Sequence, residues 1–150
     1  MSAEAKITRQ RKLSRADIEH GLADAHADLM ESVVAGCALV AYSDGWVSEA
    51  EERRMIGLIR RFEPITRFDL GEVLDRFDAV TRVFSRDFDQ GEEHALALLT
   101  RLSGRKREAD LLIEICCAIA EADGGFDREE RDALLKMCER LGVHPGDHDL

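Results

Sequence analysis

The feature that most constrains this chain of 150 residues is an internal repeat with a spacing of 79 residues. Residues 38–48 align with residues 117–127, and Cys37 aligns with Cys116 just ahead of them. Each copy has an apolar helical segment, an Asp-Gly turn, a capping residue and a second helix with Glu at its third position. Because neither hairpin can bury its apolar face alone, the repeat predicts two helix–turn–helix hairpins packed about a pseudo-twofold axis.

Apolar spacing along the rest of the chain is helical, and no alternating pattern typical of strands stands out. The sequence therefore predicts an all-α fold of about seven helices, in which two intervening helices cover the paired hairpins. A loop is predicted at 85–89, and a capping box is predicted where Asp69 precedes Glu72. We divide the chain into a basic arm with a short helix (1–27) and a helical domain (28–150). The predicted helices begin near Ser14 and continue at about 28–43, 48–62, 69–84, 95–102, 107–122 and 127–141.

Charge is distributed unevenly along the chain. The net charge is −10, yet residues 1–15 carry five basic side chains against Glu4, a local charge of +4. The acidic remainder argues against a nucleic-acid partner. The basic arm is either a solubilising tail or a weak contact to an anionic membrane or an acidic partner.

The sequence has neither an apolar leader nor a stretch long enough to span a bilayer. We therefore expect a cytoplasmic protein, either free or peripheral at the inner face of the membrane. It also lacks a nucleotide-binding loop and a hydrolase motif, so we expect no enzymatic activity.

Two carboxylates in the repeat call for an explanation. Asp44 and Asp123 each follow the C-terminal end of a helix, where a negative charge is unfavourable by about 0.3–1 kcal/mol. Three partners could compensate: the amides of the turn itself, a nearby Lys or Arg, or a bound cation. The flanking pairs, Ser48 with Glu51 and Asp127 with Glu130, are explained as capping boxes without any ligand.

A cation is chemically reasonable, because carboxylates and helix-end carbonyls are hard oxygen donors that suit Ca²⁺ or Mg²⁺. Neither turn is an EF-hand, since the sixth and twelfth positions counted from Asp44 hold Glu49 and Met55. A site would need carboxylates from both copies or from another loop, and Asp87 and Asp89 could contribute. On the residues alone, hydrogen bonds within each turn and a metal site both stay open.

The chain resembles the TerB family of tellurite resistance proteins from about Val33 to Leu150. The resemblance lies in two Asp-Gly motifs in register, at 43–52 and 122–127, and in the shorter motifs 54–57, 68–69 and 87–89. It implies a helical fold with internal symmetry, and an acidic cluster that binds a divalent metal such as Ca²⁺. Carried over by position, the implied metal ligands are Asp44, Glu51, Asp123, Asp127 and Glu130.

The same resemblance implies a non-enzymatic role in tellurite or general stress resistance. It further implies a metal-responsive interaction module that binds a membrane protein of the TerC type or other proteins of a stress complex. The oligomeric state is not fixed by the sequence.

The alternative function is a thiol-dependent enzyme or scavenger that acts on tellurium oxyanions through its four cysteines. The sequence offers little for it, because there is no Cys-x-x-Cys motif and all four lie in apolar helical stretches. Buried, unreactive thiols are the expected outcome. The cysteines that this alternative function would use are Cys37, Cys116, Cys117 and Cys138.

Overall fold

The structure is a computed structural model that describes residues 14–45, 47–62, 65, 67–121 and 127–150. Throughout these residues the secondary structure is helical, with no strand, as the sequence predicts. Three short 3-10 turns lie at Tyr42–Asp44, Thr100–Leu102 and Pro145–His148. The α-helices are α1 (Arg15–Ala41), α2 (Glu49–Ile59), α3 (Leu70–Arg86), α4 (Phe88–Leu99), α5 (Lys106–Glu121) and α6 (Arg128–Leu141).

Helix α1 is the centre of the bundle and packs against α3, α4, α5 and α6. Val33, Val34 and Ala35 are consecutive and fully buried, so this helix is surrounded on all sides rather than along one stripe. The helix predicted from about Ser14 and the one predicted at 28–43 form this single helix. A Cβ atom on Gly36 would lie 2.7 Å from Cε of Met137, so glycine permits close approach of α1 to α6.

The two hairpins of the repeat pack on each other. Helix α2 contacts α5, and α6 contacts both α1 and the 3-10 turn that follows it. The Sγ atoms of Cys37 and Cys116 lie 4.0 Å apart, and these residues are separated by 79 positions, the spacing of the repeat. Equivalent residues of the two copies therefore meet at the centre of the bundle.

Helices α3 and α4 connect the hairpins and bury a stripe that includes Phe77 and Phe84. The loop predicted at 85–89 is wrong, because Asp87 alone separates α3 from α4. Asp87 ends α3 and also caps α4, accepting a hydrogen bond from the Gln90 N–H at 3.2 Å. Gly91 lies directly against Phe84, with room for no side chain, which lets the two helices cross closely.

The predicted capping boxes have three different outcomes. At α6 the box is complete, since Asp127 accepts from the Glu130 N–H at 2.7 Å and Glu130 accepts from the Asp127 N–H at 3.4 Å. At α2, Ser48 accepts from the Glu51 N–H, but the Glu51 carboxylate accepts from the Ser48 hydroxyl instead of the backbone. At α3 the predicted box is wrong, because the side chain of Asp69 forms no capping hydrogen bond.

In the described part of the chain, none of the helices combines the length and apolar character needed to cross a membrane.

Candidate functional site

The first candidate residue, Asp44, is the last residue of the 3-10 turn that ends the first helix of hairpin one. Gly45 follows with φ of 90°, a left-handed conformation that glycine adopts readily, and its N–H donates to the Tyr42 carbonyl at 2.8 Å. Tyr42 in the same turn stacks on Phe84, with ring centroids 4.7 Å apart. The turn is thus anchored to α3, and Asp44 projects from it as an exposed side chain.

The second group of carboxylates begins helix α6. Asp127 is the capping residue, and Glu129 and Glu130 lie in the first turn. Acidic residues are favoured at this end of a helix, because the free N–H groups carry partial positive charge. Their presence is therefore explained locally, and their position relative to Asp44 is set by the packing of α6 against the turn.

That packing brings three carboxylates together. One oxygen each from Asp44, Asp127 and Glu129 lie within 4.8 Å of one another, and all three residues are exposed. We call this set the carboxylate cluster. The cluster lies between the C-terminal end of the first helix of hairpin one and the N-terminal end of the second helix of hairpin two.

Burial and neighbouring acids together disfavour ionisation of two carboxyls in this region. The pKa of Asp44 is raised by partial burial, then by the charge of Asp127 and a hydrogen bond to it, and further by Glu129 and Glu51. The pKa of Glu130 is raised to about 7, chiefly by burial and by a side-chain hydrogen bond with Asp127. Negative charge is therefore concentrated here beyond what the local hydrogen bonds neutralise.

A cavity of about 360 Å³ opens next to the cluster, between the two hairpins. Its walls include three pairs of residues related by the repeat: Val40 with Ile119, Ala41 with Ala120, and Glu51 with Glu130. It therefore lies where the two copies face each other. Asp44, Arg54, Met55 and Leu58 complete the lining, so apolar walls meet a rim of three carboxylates and one guanidinium. We call it the inter-hairpin cavity.

The other predicted ligands have different positions. Glu51 and Glu130 line the inter-hairpin cavity beside Asp44, but the carboxylate cluster does not include them. Asp87 caps α4, and neither it nor Asp89 belongs to the cluster. Asp123 lies outside the described residues, as do the amide of Trp46 and the whole second Asp-Gly turn.

Sequence reasoning missed one member of the cluster, Glu129. The repeat gave no sign of it, because the equivalent position in the first copy is Ala50. The available signal was its place at the start of α6, where the capping residue Asp127 and the first-turn residues Glu129 and Glu130 concentrate acidic charge. This position is acidic in the second copy and apolar in the first, so a comparison of the two copies does not indicate it.

The cysteines do not form a reactive centre. Cys37, Cys116 and Cys138 are buried and Cys117 is half-buried, and all four are free thiols. Burial raises the pKa of Cys117 to about 12 and that of Cys138 to about 11, so the nucleophilic thiolate is suppressed. The sulfur atoms of Cys37 and Cys116 are close but sealed in the core, where neither reaches a substrate.

Comparison with known proteins identifies relatives of the chain. Residues 30–150 match the profile of the family described as tellurite resistance protein TerB. A tellurium resistance protein TerB from Alcaligenes sp. is 29% identical over 86 residues, which cover 57% of this chain and 70% of that protein. No solved structure matches significantly.

Proposed function

Since the chain belongs to the TerB family, we propose that it is a non-enzymatic tellurite and stress-resistance protein that responds to a divalent cation. In this proposal the ion binds at the carboxylate cluster and controls contact with a membrane-associated partner of the TerC type. The observation that carries the proposal is the convergence of Asp44, Asp127 and Glu129, drawn from both hairpins, within 4.8 Å.

The carboxylate oxygens of the cluster suit a hard divalent cation such as Ca²⁺. Oxygens bound to one Ca²⁺ at about 2.3–2.6 Å are separated by at most about 5 Å, whereas Mg²⁺ at about 2.0–2.1 Å limits the separation to about 4.2 Å. Separations of up to 4.8 Å lie within the range for Ca²⁺. Ca²⁺ takes six to eight oxygens, so water or backbone carbonyls would complete the shell.

A cation would also relieve the repulsion from Asp127, Glu129 and Glu51, which adds to the effect of burial in raising the pKa of Asp44. Because the carboxylates come from different hairpins, bound ion would tie the turn after α1 to the start of α6. Binding to the folded state alone stabilises it, by roughly 2.7 kcal/mol at an ion concentration one hundred times Kd. Ion binding would thus alter the stability and exposure of this end of the bundle, which is how we envisage control of the partner.

Calorimetric titration of chelator-treated protein with Ca²⁺, Mg²⁺ and Zn²⁺ tests the ion site. The sole Tyr and Trp lie two residues from Asp44 on either side, so sensitised Tb³⁺ luminescence offers a second readout. We expect saturable Ca²⁺ binding that weakens at least tenfold in Asp44→Asn and in Glu129→Gln. Glu114→Gln, an exposed acid in the middle of α5, is the matched control and should bind as the wild type does.

Absence of saturable binding in the wild type would contradict the ion site, as would equal affinity in Asp44→Asn. The partner is tested separately, by co-sedimentation with membranes that contain a TerC-type protein, in Ca²⁺ and in chelator. Recovery that is the same in both conditions, or that does not require the TerC-type protein, would contradict the ion-controlled contact.

A further inference from the structure

The inter-hairpin cavity has the form of a receptor for a cationic segment that carries an apolar side chain. Val40, Leu58 and Ile119 contribute to its apolar walls, while Asp44, Glu51 and Glu130 stand at its rim. Its volume of about 360 Å³ is ample for one aliphatic side chain together with its neighbouring backbone. Three carboxylates against Arg54 leave the rim negative, and Asp127 and Glu129 add to that charge from the adjoining cluster.

A segment of the required chemistry lies in this same chain, outside the described residues. Residues 1–13 contain Lys6, Arg9, Arg11 and Lys12, and Ile7 stands among them with Lys6 on one side and Arg9 on the other. Residues 1–15 carry a local charge of +4 in a chain whose net charge is −10. The other basic stretch, 101–107, lies in the folded bundle, where Arg101 and Arg105 pair with Asp28. The positively charged arm and the negatively charged cavity are complementary. Such charge complementarity both accelerates association and favours one partner over others.

The length of α1 decides whether the arm can reach the cavity of its own molecule. The arm ends at Ser14, next to the start of α1, whereas the cavity lies at the other end of that helix, beside Val40 and Ala41. At about 1.5 Å per residue, a helix of 27 residues is about 40 Å long. Lys6, the basic residue farthest from Ser14, is eight residues away and reaches about 27 Å when fully extended.

Docking in its own cavity would therefore require the arm to run back along α1 at nearly full extension, which costs conformational entropy. We propose that the arm docks in the inter-hairpin cavity of a second copy of the chain, with Ile7 among the apolar walls and the basic residues on the carboxylate rim. If two copies exchange arms with their α1 helices antiparallel, each arm meets the other's cavity and the assembly closes as a twofold dimer. The proposal concerns the ion-free protein, because Asp44 borders both the cavity and the adjoining cluster.

The experiment uses the full chain in chelator, so that the ion site does not enter. Self-association is measured by sedimentation at 20–500 µM protein in low and high salt. We expect a monomer–dimer equilibrium at low salt that weakens more than tenfold at high salt, because exposed ion pairs are screened. The variant Lys6→Gln/Arg9→Gln/Arg11→Gln/Lys12→Gln, which alters only the arm, should be monomeric throughout.

A fluorescent peptide of residues 1–15 then tests the receptor on that arm-neutralised full chain. Glu51→Gln/Glu130→Gln should weaken peptide binding at least tenfold, while both capping positions keep a hydrogen-bonding side chain. Glu114→Gln/Glu139→Gln removes the same charge from exposed positions elsewhere and should change binding less than twofold. Ile7→Ser in the peptide should weaken binding about tenfold with no change in charge.

Carbodiimide coupling of a mixture of ¹⁵N-labelled and unlabelled chains shows which molecule supplies the arm. Mixed-isotope crosslinks from Lys6 or Lys12 to Glu51 or Glu130 are expected. A wild type that stays monomeric at 500 µM in low salt would overturn the proposal, as would equal loss of binding in both acid-to-amide pairs. A peptide that binds anionic phosphatidylglycerol vesicles but not the protein would assign the arm to a membrane and overturn it equally.

Discussion

Removal of one charge at the start of α6 should make the protein more stable at alkaline pH. The change is Glu130→Gln, which keeps an oxygen acceptor for the capping box and abolishes ionisation. The pKa of Glu130 rises from 4.5 to about 7 on folding. That difference corresponds to about 3 kcal/mol in a dry site at 1.36 kcal/mol per unit. Solvent screening of this part-exposed carboxyl reduces it to about 1 kcal/mol.

The sign follows from the direction of the shift. A carboxyl whose pKa is higher in the folded state favours folding when protonated, so this contribution is present below pH ~4.5 and is lost as pH rises through 7. At pH 8 the ionised Glu130 therefore costs about 1 kcal/mol that glutamine does not. Urea unfolding in chelator should place Glu130→Gln about 1 kcal/mol above the wild type at pH 8 and close to it at pH 5.

The control is Glu114→Gln, which lies exposed in mid-helix and should stay within about 0.5 kcal/mol of the wild type at both values of pH. The reasoning would be refuted if Glu130→Gln were less stable than the wild type at pH 8. It would also be refuted if the difference between the two proteins were independent of pH.

Three further outcomes are expected. Gly91→Ala should lower the free energy of unfolding in urea by about 2 kcal/mol, because its Cβ would lie 2.6 Å from the Phe84 backbone. Gly57→Ala, with nothing within 4 Å of its Cβ, should instead stabilise α2 by about 0.5–1 kcal/mol. Similar effects of the two changes would contradict the packing. A disulfide reagent at pH 7.5 should modify native protein slowly and at Cys117 alone, with four thiols reacting after denaturation; rapid labelling of all four would revive the thiol chemistry. Because the pKa of Asp44 is raised from its ordinary value, Ca²⁺ binding should weaken as the pH is lowered into the acidic range where this carboxyl protonates, measurable by calorimetric titration in a series of acidic buffers; an affinity that stays constant down to pH ~4 would count against binding at Asp44.

The helices were predictable because their signals are local. Gly45 and Gly142 adopt the left-handed conformation that ends or follows a helical segment, and Asp127 caps α6 as its sequence context indicates. The loop predicted at 85–89 failed for a physical reason. Asp87 is a turn-forming residue in an acidic stretch, yet it caps one helix while ending another. The close crossing of α3 and α4 depends on a contact between Gly91 and Phe84 across this junction, which the apolar spacing of neither helix indicates.

The candidate site was predictable only where the repeat or a capping box marks a position. Asp44, Glu51, Asp127 and Glu130 stand at repeated or capping positions, and the structure places all four around one cavity and its adjoining cluster. Glu129 has no counterpart in the first copy, and its proximity to Asp44 arises from how α6 packs on the turn after α1. Such a contact between distant segments leaves no periodic trace in a single sequence.

Cys37 and Cys116 occupy equivalent places in the repeat, and their sulfur atoms lie 4.0 Å apart. In a homodimer, a residue touches its own counterpart only where it lies on the twofold axis. The two hairpins therefore meet through equivalent residues, as two copies would on such an axis, and because α3 and α4 join them in one chain their association does not weaken on dilution. Because the two hairpins belong to one chain, their sequences can also differ at equivalent positions. Glu129 belongs to the carboxylate cluster, whereas the equivalent residue of the first hairpin is Ala50.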